Sequence, residues 1–176
     1  MDLKLPRTIR LDPSDEFVFA TAAPPGEWAV PGTFRFWNTD LAGLAGKERQ
    51  AFRAGLLGIA SFGWSTLVAV AEATPEEVEA ATEALAHQLV VHMGAPDAAA
   101  ARGAAEDEIA FAASLCDHPV NTLIAVARSV ENGEIRERFR TLTKREDLHA
   151  QARAFDIVAD DEPEEEIDIR TIGQKT

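Results

Sequence analysis

Apolar residues recur every second position near both ends of this chain and every three to four positions through its middle, a pattern that predicts strands, then helices, then strands. In the first forty residues, short runs at 7–11, 17–20, 28–30 and 33–38 are cut by Asp12-Pro13-Ser14-Asp15, Pro24-Pro25-Gly26 and Pro31-Gly32, which reads as a β-meander. Within 33–38, Phe34 and Phe36 share one face while Arg35 and Trp37 share the other. Residues 47–57 suit a helix, with Phe52, Leu56 and Ile59 at helical spacing and Gly58 marking the expected end. Residues 59–71 then read as a central strand. Phe62, Trp64, Thr66, Val68 and Val70 line one face, and mostly small side chains line the other, where a helix is expected to approach closely.

Thr74-Pro75-Glu76-Glu77 predicts a helix start, because threonine caps the first turn, proline tolerates its first position and Glu77 completes a capping box. The helix is expected to reach Met93, bury Val78, Thr82, Leu85, Leu89 and Met93, and end at Gly94. A second helix follows Pro96, from 97 to about 116, with Ala101, Ala105, Ile109, Ala112 and Cys116 on its packing face. The short link between the two predicts an antiparallel pair lying on the sheet.

Residues 124–142 carry the clearest local instruction. Asn132-Gly133 tolerates positive φ at two successive positions, so it favours a two-residue hairpin turn. With Glu131 opposite Glu134, Val130 faces Ile135, Arg128 faces Glu137, Val126 faces Phe139 and Ile124 faces Thr141 on a mostly apolar side. The other side sets Arg136, Arg138 and Arg140 opposite Ser129, Ala127 and Ala125. The element order predicts an α+β fold with a largely antiparallel sheet: a single domain over 1–155, then an acidic, flexible tail over 156–176.

A chain of 176 residues is long enough to bury its own core, and its single cysteine leaves no internal disulfide. MDLKLPRTIR has no apolar segment of the signal-peptide kind, and the most apolar stretch, 55–71, is interrupted by Ser61, Gly63, Ser65 and Thr66. The expectation is a cytoplasmic protein with no membrane partner. The formal net charge is -13, and the tail alone sets eight acids against Arg170 and Lys175, so the field offers no general attraction for nucleic acid.

Against that field the arginine stripe stands out. Guanidinium groups on one face repel unless an anion sits among them, and arginine grips phosphate or carboxylate in bidentate fashion. Arg136, Arg138 and Arg140 are therefore the candidate ligand-binding residues, for a small anionic ligand or an acidic partner segment. The plainer reading leaves the stripe in solvent, or neutralised by Glu131, Glu134 or the acidic tail.

Ser114-Leu115-Cys116-Asp117-His118-Pro119 is the one grouping with the composition of a thiol nucleophile, base and orienter. Cys116 also continues an apolar helical stripe, and His118 before Pro119 reads as a helix exit, so an inert core thiol is expected. His87 and His92 are five residues apart and do not share a helix face, so no metal is expected. Gly63-Trp64-Ser65-Thr66-Leu67 lacks the second glycine of a nucleophile elbow. Glu106-Asp107-Glu108 and Glu76-Glu77 read as solvated helix faces, and the three tryptophans as core. No catalytic residue and no cofactor is assigned.

Read together, Gly26-Glu27-Trp28, Phe52-Arg53-Ala54-Gly55, Ala60-Ser61-Phe62-Gly63-Trp64-Ser65-Thr66 and the string from Phe111 to Pro119 resemble a small bacterial family of uncharacterised domains. The resemblance covers most of the chain up to the tail. It implies a standalone bacterial protein and brings no catalytic residues. The leading expectation is an accessory or binding protein that acts by protein contact, with a partner or as a homodimer. Arg136, Arg138, Arg140 and the tail, with its Ile167, Ile169 and Ile172, are the features suited to association. The alternative is a small-molecule binder or thiol enzyme with a pocket between the helix pair and the sheet.

Overall fold

The computed structural model describes residues 3–11, 17–144, 157–159 and 165–168. In chain order these hold β1 (Leu3–Ile9), β2 (Ala29–Val30), α1 (Gly46–Ala54), β3 (Leu56–Gly58), β4 (Trp64–Ser65), β5 (Leu67–Ala73), α2 (Pro75–Met93), α3 (Ala98–Ser114), β6 (Leu123–Glu131), β7 (Glu134–Lys144), β8 (Ile157–Ala159) and β9 (Glu165–Asp168). The α+β expectation holds. The larger antiparallel sheet runs β1-β5-β6-β7, with β8 and β9 both pairing to the outer edge of β7, and the smaller antiparallel sheet runs β2-β3-β4.

The two long helices form where their caps direct. Thr74 Oγ1 accepts from the Glu77 amide at 3.1 Å and the Glu77 carboxylate accepts from the Thr74 amide at 2.9 Å, closing the capping box. Gly94 ends α2 in the left-handed region, and Asp97 caps α3 through the Ala100 amide at 2.7 Å. Ala81, Thr82, Leu85 and Leu89 of α2 and Ala101, Ala105, Ile109 and Ala112 of α3 are buried, while Met93 is exposed. The small alanine side chains let the helices pack closely, and Arg102 ties them together at its fork with Glu79.

The N-terminal third departs from the expected meander. Residues 17–20 form a turn in which Phe17 is exposed and Phe19 buried, and Thr33–Phe36 is a 3-10 turn rather than a strand. Gly32 sits at φ 77, where an added Cβ would lie 2.5 Å from Leu57 Cβ, and its sharp turn carries Thr33, Phe34 and Phe36 inward together. Phe36 then meets Phe52 edge-on at 5.2 Å and stacks on Trp64 at 5.3 Å. Trp37, expected in the core, is 47% exposed.

Helix α1 stops earlier than its apolar spacing implies. A Cβ on Gly55 would lie 2.7 Å from the Ala51 carbonyl and 2.8 Å from the Trp64 ring, so only glycine lets the chain leave the helix there, and Leu56 enters β3 instead. The expected central strand is likewise two strands. Residues 59–63 turn, with Phe62 at φ 57, and Thr66 separates β4 of the small sheet from β5 of the large one. In β5 the bulky row is the buried one: Val68 and Val70 cluster with Leu115, Cys116, Ile124, Val126 and Phe139, while Ala69 and Ala71 keep part of their surface.

The hairpin follows its sequence. Asn132 and Gly133 take φ 54 and 79, and the register places Glu131 opposite Glu134, Arg128 opposite Glu137 and Val126 opposite Phe139. The turn expected at Asp12 to Asp15, and His149, Ile169 and Ile172, lie outside the described residues.

Candidate functional site on the C-terminal hairpin

Strand alternation gives β6 and β7 two chemically different faces, one buried against α1 and the small sheet, the other carrying arginines. On the arginine face the register is the expected one: Arg136, Arg138 and Arg140 lie opposite Ser129, Ala127 and Ala125. Arg138 and Arg140 are exposed and Arg136 is half-buried. Part of the expected self-neutralisation is present, since Arg136 Nε lies 3.3 Å from Glu131 Oε2 beside the turn. The C-terminal segment pairs with the same strand. β9 pairs antiparallel with β7, with Asp168 opposite Arg136, Ile167 opposite Glu137, Glu166 opposite Arg138 and Glu165 opposite Phe139. β8 continues along the same edge, with Ala159 opposite Leu142 and Ile157 opposite Lys144.

The other face holds a buried ionic cluster that pattern reading passed over. Arg128 Nε reaches Glu137 Oε1 at 3.1 Å and Thr33 Oγ1 at 2.9 Å, and the Thr33 hydroxyl donates to Glu137 Oε1. Arg128 Nη1 donates to the carbonyls of Phe52 at 3.0 Å and Gly55 at 2.7 Å, which close the C-terminal end of α1, and Nη2 donates to Pro31 at 2.6 Å. A cation there meets the negative end of the helix dipole and satisfies carbonyls that the helix leaves open. Burial pulls the Arg128 pKa below its ordinary value, and Glu137 opposes that shift. Glu137 Oε2 has no hydrogen-bond partner among the described residues.

Glu108 extends the cluster from α3. Its Oε1 accepts from the Gly32 amide at 3.1 Å. Burial, helped by the charge of Glu137, pushes its carboxyl up to about 7, against the opposing pull of the Gly32 amide and Arg128. The expectation of a solvated Glu106-Asp107-Glu108 face is therefore corrected at Glu108: the helix turns this one carboxylate toward the hairpin. Glu106 does remain outside, paired with Arg102 at 2.7 Å. A charged pair directly opposed on an otherwise apolar row, Arg128 across from Glu137, was the available signal.

The other candidate chemistry does not assemble. Cys116 is 2% exposed, and burial pushes its thiol up to about 12 against a weaker pull from Lys4. Lys4 Nζ is spent on the His118 carbonyl at 2.8 Å. Ser65 is buried, with its hydroxyl on the Leu67 carbonyl at 2.7 Å, so it presents no exposed nucleophile. Among the described residues no cluster of three His, Cys, Asp or Glu side chains has metal-site geometry; His87 is exposed and His92 stacks on Phe62 at 4.9 Å. An open hollow of about 310 Å³ does lie between β1, α2 and α3, lined by Leu5, Val78, Thr82 and Ile109 and edged by Glu79, Arg102 and Glu106. It contains neither the arginine stripe nor Cys116. No helix of the described residues is long and apolar enough to cross a membrane.

No curated protein and no solved structure matches the chain. Residues 1–159, a span that takes in Arg136, Arg138 and Arg140 but stops before β9, match the model of a family of unknown function, DUF6505, and the chain belongs to that family.

Proposed function

We propose that this chain is a cytoplasmic, non-enzymatic binding protein that acts by protein contact, and that its contact surface is the arginine-bearing face and outer edge of β7. The observation that carries this reading is the pairing of β9 with β7, which sets Asp168 and Glu166 opposite Arg136 and Arg138. An exposed strand edge offers a row of amides and carbonyls that a further strand completes, and side chains at alternate positions then select which strand fits. The chain itself supplies one such strand, of acidic composition, in a molecule whose net charge of -13 gives it no general affinity for acids. The reading as a thiol enzyme loses its support with Cys116, whose buried thiol keeps its proton at neutral pH.

Site-specific photo-crosslinking tests the surface. A p-benzoylphenylalanine at Ala127, an exposed position opposite Arg138, is compared with the same probe at Glu83 on the exposed side of α2. The reading predicts discrete adducts from position 127 that vanish when Arg136, Arg138 and Arg140 are all replaced by Gln, and none of the same mass from position 83. An adduct of twice the chain mass assigns the contact to a second copy. Identical adducts from both positions, or adducts indifferent to the arginines, contradict the reading.

A further inference from the structure

The short strands along β7 carry information about what else fits there. β7 spans Glu134–Lys144 and pairs with β6 along nine successive positions, and among the described residues its outer edge is covered by the short strands Ile157–Ala159 and Glu165–Asp168. The offset between the two pairings differs: Ala159 lies opposite Leu142, yet Glu165 lies opposite Phe139. β8 and β9 therefore pair with β7 in different registers. Short pairings of this kind open at low free-energy cost compared with a central ladder. The register sets Asp168 at the position opposite Arg136 and Glu166 at the position opposite Arg138, so acidic residues fall at alternate positions across from the two arginines.

We infer that the β7 edge is a recognition site for an extended acidic segment of a partner protein, and that Glu165–Asp168 is a built-in competitor that occupies it until such a segment arrives. This rests on the reading of β7 as the contact surface and goes further by naming the partner's chemistry and the regulation. Main-chain pairing supplies affinity common to any strand. Selectivity for acids comes from Arg136 and Arg138, whose guanidinium groups grip carboxylates. A tethered competitor acts at high effective concentration, so it sets a threshold that an incoming segment must exceed.

The test uses the full chain and a fluorescent peptide of residues 157–168 as the acidic probe, with a second peptide in which every Asp and Glu is replaced by Asn or Gln. Glu166→Lys with Asp168→Lys weakens the resident strand while leaving β7 intact, and unfolding curves establish that each variant is folded. The expected result is at least ten-fold tighter binding of the acidic peptide to this double variant than to the wild-type chain. Adding Arg136→Gln and Arg138→Gln should remove that gain, and the neutral peptide should bind at least ten-fold more weakly. Equal binding of the acidic peptide to the wild-type chain and the double variant overturns the competitor. Equal binding of acidic and neutral peptides to the double variant overturns the acidic partner but leaves β7 as a contact edge. Failure of both peptides to bind any variant, with position 127 still crosslinking in an arginine-dependent way, overturns strand recognition while the broader reading stands.

Discussion

Arg128 and Glu137 stand directly opposite each other across the hairpin, 3.1 Å from Nε to Oε1, and neither side chain is exposed. The pair joins four parts of the molecule. The hairpin supplies both charges, Thr33 bridges them, the end of α1 is closed by the guanidinium, and Pro31 anchors the small sheet. One face of β7 is thereby fixed to the core, leaving its other face and outer edge to carry the arginine stripe.

Breaking the pair from its two ends should have unequal consequences. Arg128→Met strands the buried Glu137 charge and also leaves the carbonyls of Pro31, Phe52 and Gly55 without their donor. Losing one partner of a buried ion pair costs about 3–5 kcal/mol. Glu137→Gln keeps an acceptor for Arg128 and Thr33, so it should cost less, about 1–3 kcal/mol. Urea unfolding of the two variants checks the order; equal losses would mean that the carbonyl contacts carry no weight.

Glu108 predicts a pH dependence with a definite sign. Its carboxyl moves from an ordinary 4.5 to about 7 in the folded chain, so the native state holds a proton that the unfolded state releases. The stabilisation from that group is fully present below about 4.5, declines as pH rises to about 7 and changes little above it. In Glu108→Gln this component is absent. The stability of the wild-type chain relative to the variant should fall by about 1–3 kcal/mol between pH 4.5 and pH 7.5. A difference that rises with pH would place the carboxylate in an environment that favours its charge, and a flat one would mean that folding does not shift it.

Gly32→Ala should be among the most damaging single-methyl changes in the chain. The residue lies at φ 77, and the new Cβ would be 2.5 Å from Leu57 Cβ, which cannot swing away. Left-handed strain and the clash together should cost about 2–4 kcal/mol, read as a lowered thermal midpoint.

Cys116 should alkylate slowly in the native protein and quickly once it is unfolded. Its thiol is buried and pushed up to about 12, so little thiolate is available at neutral pH. Rapid native labelling by iodoacetamide, steeply dependent on pH between 6 and 8, would restore it as a reactive group.

What could be read from the sequence follows the reach of each signal. The hairpin register, down to Arg128 opposite Glu137, came from Asn132-Gly133 because a two-residue turn fixes pairing locally. The capping box that starts α2 is local too, and it formed. The N-terminal region resisted because its turns answer to distant packing: Gly55 ends α1 against Trp64, and Gly32 bends the chain over Leu57. Glu108 looked solvated in a run of three acids, since helix spacing alone does not say which of the three meets a buried arginine. The arginine stripe is visible as a period of two, whereas the pairing of β7 with Glu165–Asp168 joins strands that no local pattern links.

The account depends most directly on charge holding β9 against the arginines of β7. Hydrogen exchange of the full chain, compared with a Glu165→Gln, Glu166→Gln, Asp168→Asn variant and repeated at low and high salt, measures this. The account predicts that amides of residues 165–168 exchange at least ten-fold faster in the variant, and that salt speeds exchange in the wild-type chain alone. Protection that is unchanged by neutralising those acids, and unaffected by salt, would contradict it.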